Sequence, residues 1–168
     1  MSFSERVGES EIRGDFDKLE ELVKNLGRKF YVDVGVLGEN NETEEGGITI
    51  AGIAAVHEFG TDRAGRGNTT VIPERSVIRG TLEKRGGAIV KEVDKHFEES
   101  LENGDVRQIF VELGLAAEAQ IQEAFDTGGF GDWEPLADST IERKKSDSIL
   151  IDDGTLRKAY TSRVGEAK

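Results

Sequence analysis

The chain of 168 residues contains no cysteine. This absence excludes a disulfide framework, a thiolate metal site and a cysteine nucleophile. Histidine is also scarce, and a site that depends on imidazole has only His57 and His96 to use. The length fits one domain with its own hydrophobic core. We therefore expect a single domain over residues 1–168, with residues 1–14 flexible, an exposed loop at 60–72 and a C-terminal segment at 126–168.

Long apolar runs are missing as well. No stretch approaches the roughly 20 apolar residues that a membrane-spanning helix needs. The first ten residues, "MSFSERVGES", lack the charged-then-apolar order of a signal peptide. We expect a soluble protein that does not interact with membranes and is not exported by that route.

Basic residues are few relative to acidic ones, with 22 against 34 and a net charge of -12. This balance argues against sequence-independent binding to duplex DNA through its phosphates. The acidic residues are concentrated in two blocks, since residues 1–50 hold 6 basic and 12 acidic side chains and residues 91–134 hold 3 and 12. Two interpretations stay open: well-solvated acidic helices, or complementary surfaces for docking.

Hydrophobic periodicity predicts the main elements. Apolar residues at three- and four-residue steps predict a helix from Asp15 to Leu26, a helix that starts at Pro73 and runs to Leu101, and a helix that follows Asp105. The alternating stretch "KFYVDVGV" predicts a strand with one buried face. The pair Gly86 and Gly87 is a candidate kink. The predicted fold is α+β, with a small mixed or antiparallel sheet packed against two long antiparallel helices and a helical C-terminal segment.

Enzymatic chemistry finds little support in the sequence. His57 and Glu58 are adjacent, so their side chains diverge in a helix and in a strand alike. A metal site would need His57 and His96 to meet in space with a carboxylate, and no serine lies in a Gly-x-Ser-x-Gly elbow. We predict no catalytic residue, no metal and no cofactor. A small hydrolase or metal-dependent enzyme that uses His57, Glu58 and His96 remains the alternative, as does a monomeric regulatory binding domain.

One basic cluster interrupts the acidic chain. It indicates an electrostatic contact for an acidic surface of a neighbouring subunit, a local contact to DNA phosphates, or a solvated helix face with internal ion pairs. The single tryptophan, Trp133, is predicted to anchor the C-terminal segment or to serve as an interface hot spot. The members of the cluster are Arg63, Arg66, Arg75, Arg79, Lys84 and Arg85.

Two sets of motifs resemble known families. The ordered stretches "VGVLGE", "IAAVHEFGTDR" and "VIPERSVIRGTLEK" resemble the first half of the tail-completion and head-tail joining proteins of tailed bacteriophages. The stretches "WEPLADSTIERKK" and "SILIDDGTLRKAYTSRV" are similar to the C-terminal part of the phage virion-morphogenesis family. The resemblance covers roughly residues 32–164. The motif positions are Glu58, Phe59, Gly60, Thr61, Pro73, Arg75, Arg79, Trp133, Pro135, Leu136, Gly154 and Leu156.

The resemblance implies a structural virion protein of the phage neck, located at the tail end after assembly in the host cytoplasm. It implies a ring of copies, with a hexamer favoured and a dodecamer as the alternative. The ring would contact the head connector or adaptor and the tail terminator or tail tube, and DNA would pass through it without sequence-specific binding. The residues that we expect to mediate assembly are Glu58, Thr61, Arg63, Arg66, Arg75, Arg79 and Trp133.

The chain departs from the family in two ways. Relatives often carry an aromatic residue where Val77 stands, and they continue into a β-hairpin beyond the last helix. We expect this chain to lack that hairpin, so that a partner is a candidate source of the missing strand.

Overall fold

The computed structural model describes residue 20 and residues 23–43, 47–65 and 67–167. This part of the chain is 54% helical and 18% strand, with two small antiparallel sheets packed against long helices, which confirms the predicted α+β class. Segment 1–14 and most of the predicted helix from Asp15 to Leu26 lie outside the described residues. The described end of that helix, residues 23–26, is helical, and Gly27 follows it in a turn.

Five further helices follow along the described chain. None of them is long and apolar enough to cross a membrane. The two longest are the predicted pair, although α2 begins later than the periodicity indicates. They are α1 (Ile50–Phe59), α2 (Ile78–Glu102), α3 (Val106–Thr127), α4 (Asp138–Lys144) and α5 (Thr155–Ala159).

The strands form two antiparallel pairs. β1 (Lys29–Val36) pairs along its whole length with β4 (Tyr160–Ala167). β2 (Thr61–Ala64) and β3 (Thr70–Ile72) form a separate hairpin with an irregular register. The sheet of β1 and β4 lies against α3, and α3 lies against α2, so the fold has a sheet layer and a helical layer.

The long helices are joined by the short turn that the sequence predicts. Asp105 caps α3, because its side chain accepts a hydrogen bond from the backbone N–H of Gln108 at 3.1 Å. So short a turn makes α2 and α3 antiparallel neighbours, with Ile89 buried against Ala116 and Ala117. The two adjacent glycines do not interrupt α2, which is continuous from Ile78 to Glu102.

The main core lies where α1, α3 and the C-terminal segment meet. Phe125 of α3 is at its centre, with edge-on contacts to Trp133 at 5.8 Å and to Tyr160 at 5.7 Å between ring centroids. Val77, directly before α2, is fully buried in the same cluster. This core joins the two halves of the chain that carry the family motifs.

Residues 60–72 differ from the predicted loop. They are largely exposed, as expected, but they form the hairpin of β2 and β3. Positive φ values at Gly65, Gly67 and Asn68 allow the tight reversal between the strands. The strands escaped prediction because their short sequences, "TDRA" and "TVI", lack an alternating apolar pattern.

The helix predicted to start at Pro73 starts at Ile78 instead. Pro73 and the residues after it run outside any helix, and the backbone N–H of Arg75 donates to the carbonyl of His57 at 2.7 Å. This contact holds the segment against α1. The placement of Pro73 in the first helical turn was therefore wrong.

The C-terminal segment contains the two predicted short helices and a strand that the sequence did not predict. The last helix ends at Ala159, and the chain continues as β4. A single strand, β4, therefore follows the last helix where relatives have a hairpin, and its antiparallel partner is β1 of the same chain, so the strand expected from a partner is supplied by this chain.

Candidate functional site

Glu58 lies near the end of α1, and its side chain caps the start of α2. One carboxylate oxygen accepts hydrogen bonds from the backbone N–H groups of Val77 at 2.7 Å and Ile78 at 3.0 Å. The other accepts from the backbone N–H of Arg79 at 3.0 Å and from the hydroxyl of Ser76 at 2.6 Å. A carboxylate here satisfies donors that a helix start leaves free, and its charge complements the helix dipole.

The electrostatics of Glu58 fit this role. Partial burial alone would raise the pKa of its carboxyl, but the hydrogen bonds from Ser76 and from the backbone of Arg79, Ile78 and Val77 outweigh burial and lower the pKa. The carboxylate is therefore the favoured form at neutral pH. With four donors bound, Glu58 is a structural cap and a poor general base.

The backbone conformation and the surroundings of Gly60 require a glycine in the Glu-Phe-Gly-Thr element. Its φ is +68°, and a Cβ atom at this position would come within 2.9 Å of the backbone nitrogen of Glu74. The close approach brings the end of α1 beside the strand that leads to α2. The next motif residue, Thr61, uses its hydroxyl to accept a hydrogen bond from the backbone N–H of Arg63 at 3.2 Å.

Arg75 points inward, and only 6% of it is exposed. Its Nε donates to the carbonyl oxygen of Glu134 at 2.9 Å, and a terminal nitrogen donates to that of Pro135 at 3.2 Å. Burial lowers the pKa of its guanidinium, and the charge of Glu134 opposes that effect. Arg75 therefore joins the segment before α2 to the Trp-x-Pro-Leu segment and is out of reach of a partner.

Trp133 makes the second connection between these segments. Only 7% of it is exposed, and its Nε1 donates to the carbonyl oxygen of Ser76 at 3.1 Å. The structure thus places Trp133 in the role of an anchor. We call this arrangement the cap node, defined as Glu58, Arg75, Ser76 and Trp133.

Arg79 is the motif residue that remains on the outside. Its guanidinium lies 5.6 Å from the centre of the Phe59 ring, donates to the carbonyl of Glu58 at 3.1 Å and pairs with Glu74 at 2.7 Å. Arg79 therefore holds the exposed Phe59 ring in place.

The rest of the basic cluster is spread over the surface. Arg63 is exposed on β2 and lies 3.7 Å from the carboxylate of Asp62. Lys84 pairs with Asp132, and Arg85 pairs with Glu123 at 3.1 Å. Arg66 lies outside the described residues. The described members of the cluster thus have acidic partners of their own chain or backbone partners, and the pair of Arg63 and Asp62 is the most exposed of these ion pairs.

The residues of the enzyme alternative do not form a site. His96 is exposed on α2, whereas His57 lies in α1 with its Nδ1 buried. Burial first, then the charges of Arg75 and Lys144, lower the pKa of His57. Among the described residues, no group of three or more His, Cys, Asp or Glu side chains is placed to hold a metal ion.

Two concave surfaces lie on either side of α1. An open cleft of about 910 Å³ has a mixed lining that includes the basic residues Arg143 and Lys144, the acidic residues Asp152 and Asp153, and His57. An apolar groove of about 520 Å³ lies between α1 and α2. Sequence reasoning missed this groove, although the pattern of Ala51, Ala55 and Phe59 at four-residue steps marks its α1 wall.

Comparisons of the chain with known protein families, characterised proteins and solved structures find no match to any of them. The motifs described above remain the basis for the likeness to the phage families.

Proposed function

We propose that this protein is a structural component of the neck of a tailed-bacteriophage virion. It completes the tail and joins it to the head connector through protein-protein contacts in a ring around the DNA channel. A hexamer is the favoured ring and a dodecamer the alternative. The protein acts without a catalytic residue, a metal or a cofactor.

The cap node is the observation that carries the proposal. The two sets of motifs that resemble the phage families lie about sixty residues apart in sequence, and their residues contact each other there. The polar groups of Glu58, Arg75 and Trp133 form hydrogen bonds with backbone groups. Motif residues used in this way stabilise the fold, which supports a structural role for them over shared chemistry.

The surface gives a second line of support. The apolar groove and its rim expose Phe59 and Leu82 to solvent, and exposed apolar surface of this kind marks contact sites between proteins. The strongly acidic chain also suits a conduit, because negative charge repels DNA and lets it slide. These features support a protein that binds other proteins while DNA passes.

The test measures the mass of the purified protein by light scattering, first alone and then with purified tails or head connectors. We expect a ring, or a smaller species that is incorporated at the tail end. A protein that stays monomeric and binds neither tails nor connectors would overturn the proposal and favour the regulatory domain.

A matched pair of variants makes the test specific. Arg63 and Lys95 are both exposed and both lie beside an acidic neighbour, but only Arg63 belongs to the predicted docking set. We expect Arg63→Glu to weaken incorporation at least tenfold and Lys95→Glu to leave it unchanged. Equal incorporation of the two variants would show that Arg63 does not belong to the docking surface.

The variant His57→Ala distinguishes the enzyme alternative from the assembly proposal. A role in catalysis or metal binding predicts loss of activity or of bound metal with the fold retained. The assembly proposal predicts a modest loss of stability and normal incorporation at the tail end. Bound zinc in the purified wild-type protein that disappears in the variant would favour the enzyme.

A further inference from the structure

The exposed side of α2 carries a row of apolar residues, which we call the stripe and define as Leu82, Gly86, Val90 and Phe97. Helical geometry puts these residues on one side of α2, at an angle to the side that packs on α3. Their exposure is high for apolar side chains: 55% for Leu82, 55% for Val90 and 42% for Phe97. The stripe continues at Leu82 into the apolar groove, where Phe59 is 68% exposed.

We propose that the stripe binds the same stripe of a second copy, with the two α2 helices antiparallel. The pair is a two-fold dimer of the free protein. Leu82 of one copy packs against Phe97 of the other, and the two Val90 side chains meet near the two-fold axis.

The charges along α2 favour this partner and this direction. The first half of the helix has more bases than acids, and the half after Val90 carries five acids and two lysines. The acids Asp94 and Glu98 flank the stripe and are exposed. A parallel pair would place these acids beside their own copies, which is unfavourable, whereas an antiparallel pair brings the acid-rich half of the second copy beside the half that holds more bases than acids.

The spacing and the glycine also fit a pair of helices. Leu82 and Phe97 are about 22 Å apart along the axis at 1.5 Å per residue, with Val90 close to the midpoint. A Cβ atom added at Gly86 would meet nothing within 4 Å. The absent side chain therefore leaves open space between Leu82 and Val90, where a second helix can approach closely. In the pair, Phe97 of the second copy lies beside Leu82, at the end of the stripe where the apolar groove begins.

A two-fold pair is closed and cannot by itself continue around a ring. The dimer is proposed for the free protein, and its tests by cysteine linking and light scattering do not use tails or connectors. A failure of the dimer leaves the incorporation test unaffected, and the reverse also holds.

The chain has no cysteine, so single introduced cysteines report single contacts. Under mild oxidation we expect Val90→Cys to form a disulfide-linked dimer by itself, at least ten times faster than Leu115→Cys, an exposed control on α3. Leu82→Cys and Phe97→Cys should each fail to link alone and should link when the two variants are mixed. Linking of Leu82→Cys by itself, or equal rates for Val90→Cys and Leu115→Cys, would overturn the antiparallel pair.

A second experiment uses the adjacent glycines as a matched pair. Both have open space around them, but only Gly86 lies on the stripe. By light scattering at tens of micromolar protein, we expect a dimer for the wild type and for Gly87→Glu, and a monomer for Gly86→Glu, with equal helix content by circular dichroism. A wild-type monomer would overturn the proposal. If the thiol of Val90→Cys in that monomer also resists a thiol reagent, another part of the chain covers the stripe.

Discussion

Single side chains in this protein act over long distances in sequence. Glu58 caps a helix that begins twenty residues later, and Arg75 and Trp133 connect segments about sixty residues apart. In each case a charged or polar group satisfies backbone groups that would otherwise be buried without a partner. Substitutions in the cap node should therefore affect stability before they affect any surface.

The first prediction concerns the charge of Glu58. Its folded-state pKa lies below the ordinary value of 4.5, so the carboxylate stabilises the fold above that pH, and the contribution is lost as the pH falls through the folded-state pKa. Glu58→Gln should lower the free energy of unfolding by about 1–2 kcal/mol at pH 7. Urea unfolding should be measured at pH 7 and at about pH 3.5, where carboxylates protonate. The difference in free energy of unfolding between the wild type and Glu58→Gln should be smaller at the lower pH.

The exposed Glu83 in the next helix supplies the control, since no described side chain pairs with it. Glu83→Gln should change the free energy of unfolding by less than about 0.5 kcal/mol at either pH. A loss for Glu58→Gln that is the same at both pH values would contradict the role of its charge.

The second prediction separates the hydrogen bond of Trp133 from its packing. Trp133→Phe keeps an aromatic ring against Phe125 but removes the N–H that binds the carbonyl of Ser76. We expect a loss of about 1–2 kcal/mol for this variant, and about 3–5 kcal/mol for Trp133→Ala, which also leaves a cavity. Equal losses in chemical denaturation would mean that the phenyl ring recovers none of the packing that is lost with the indole, and would contradict the separation.

At the scale of elements, prediction succeeded where the pattern is local. The long helices, the strand β1 and the Asp105 cap follow from periodicity and from capping residues within a few positions. The start of α2 was misplaced because its cap, Glu58, belongs to another helix. The strand β4 was missed because "YTSRVGEA" has a weak alternation and becomes a strand by pairing with β1.

The sequence identified most residues of the candidate site but did not predict how their side chains are arranged. The motifs marked Glu58, Arg75 and Trp133, but sequence offered no means of telling an inward guanidinium from an outward one. Ser76 was missed, although a serine just ahead of a helix is a common capping signal. The apolar groove depends on how α1 packs beside α2, which is a tertiary contact.

The third prediction compares two glycines that have opposite roles in helices. Gly86 is inside α2 with helical geometry, whereas Gly128 ends α3 in the left-handed conformation with a φ of 63°. Gly86→Ala should raise the free energy of unfolding by about 0.5–1 kcal/mol, and Gly128→Ala should lower it by about 1 kcal/mol. The melting temperatures should move in opposite directions by about 2–4 °C.

Both variants are best measured in a Val90→Glu background, which keeps self-association out of the comparison. Shifts of the same sign would contradict the assigned backbone roles.

At the scale of the whole molecule, charge is the dominant property. The exposed acids of α2 include Asp94, Glu98, Glu99 and Glu102. A surface of this kind keeps the protein soluble and repels polyanions.

The fourth prediction follows from this charge. The purified protein should not retard a duplex DNA fragment in a gel-shift experiment at about 150 mM salt, because too few phosphates can be neutralised. A charge-reversed control with lysines in place of Asp94, Glu98, Glu99 and Glu102 should bind more strongly and in a salt-dependent manner. Micromolar binding by the wild type would contradict the picture of a passive channel wall.

The pairing of β1 with β4 has a consequence for how the protein is made in the cell. More than a hundred residues separate these strands, and a ribosome adds about 5–20 residues per second. The nascent chain therefore carries β1 unpaired for on the order of ten seconds. During that time Phe30, Val32, Val34 and Val36 belong to a strand without its partner, which makes the nascent chain prone to aggregation.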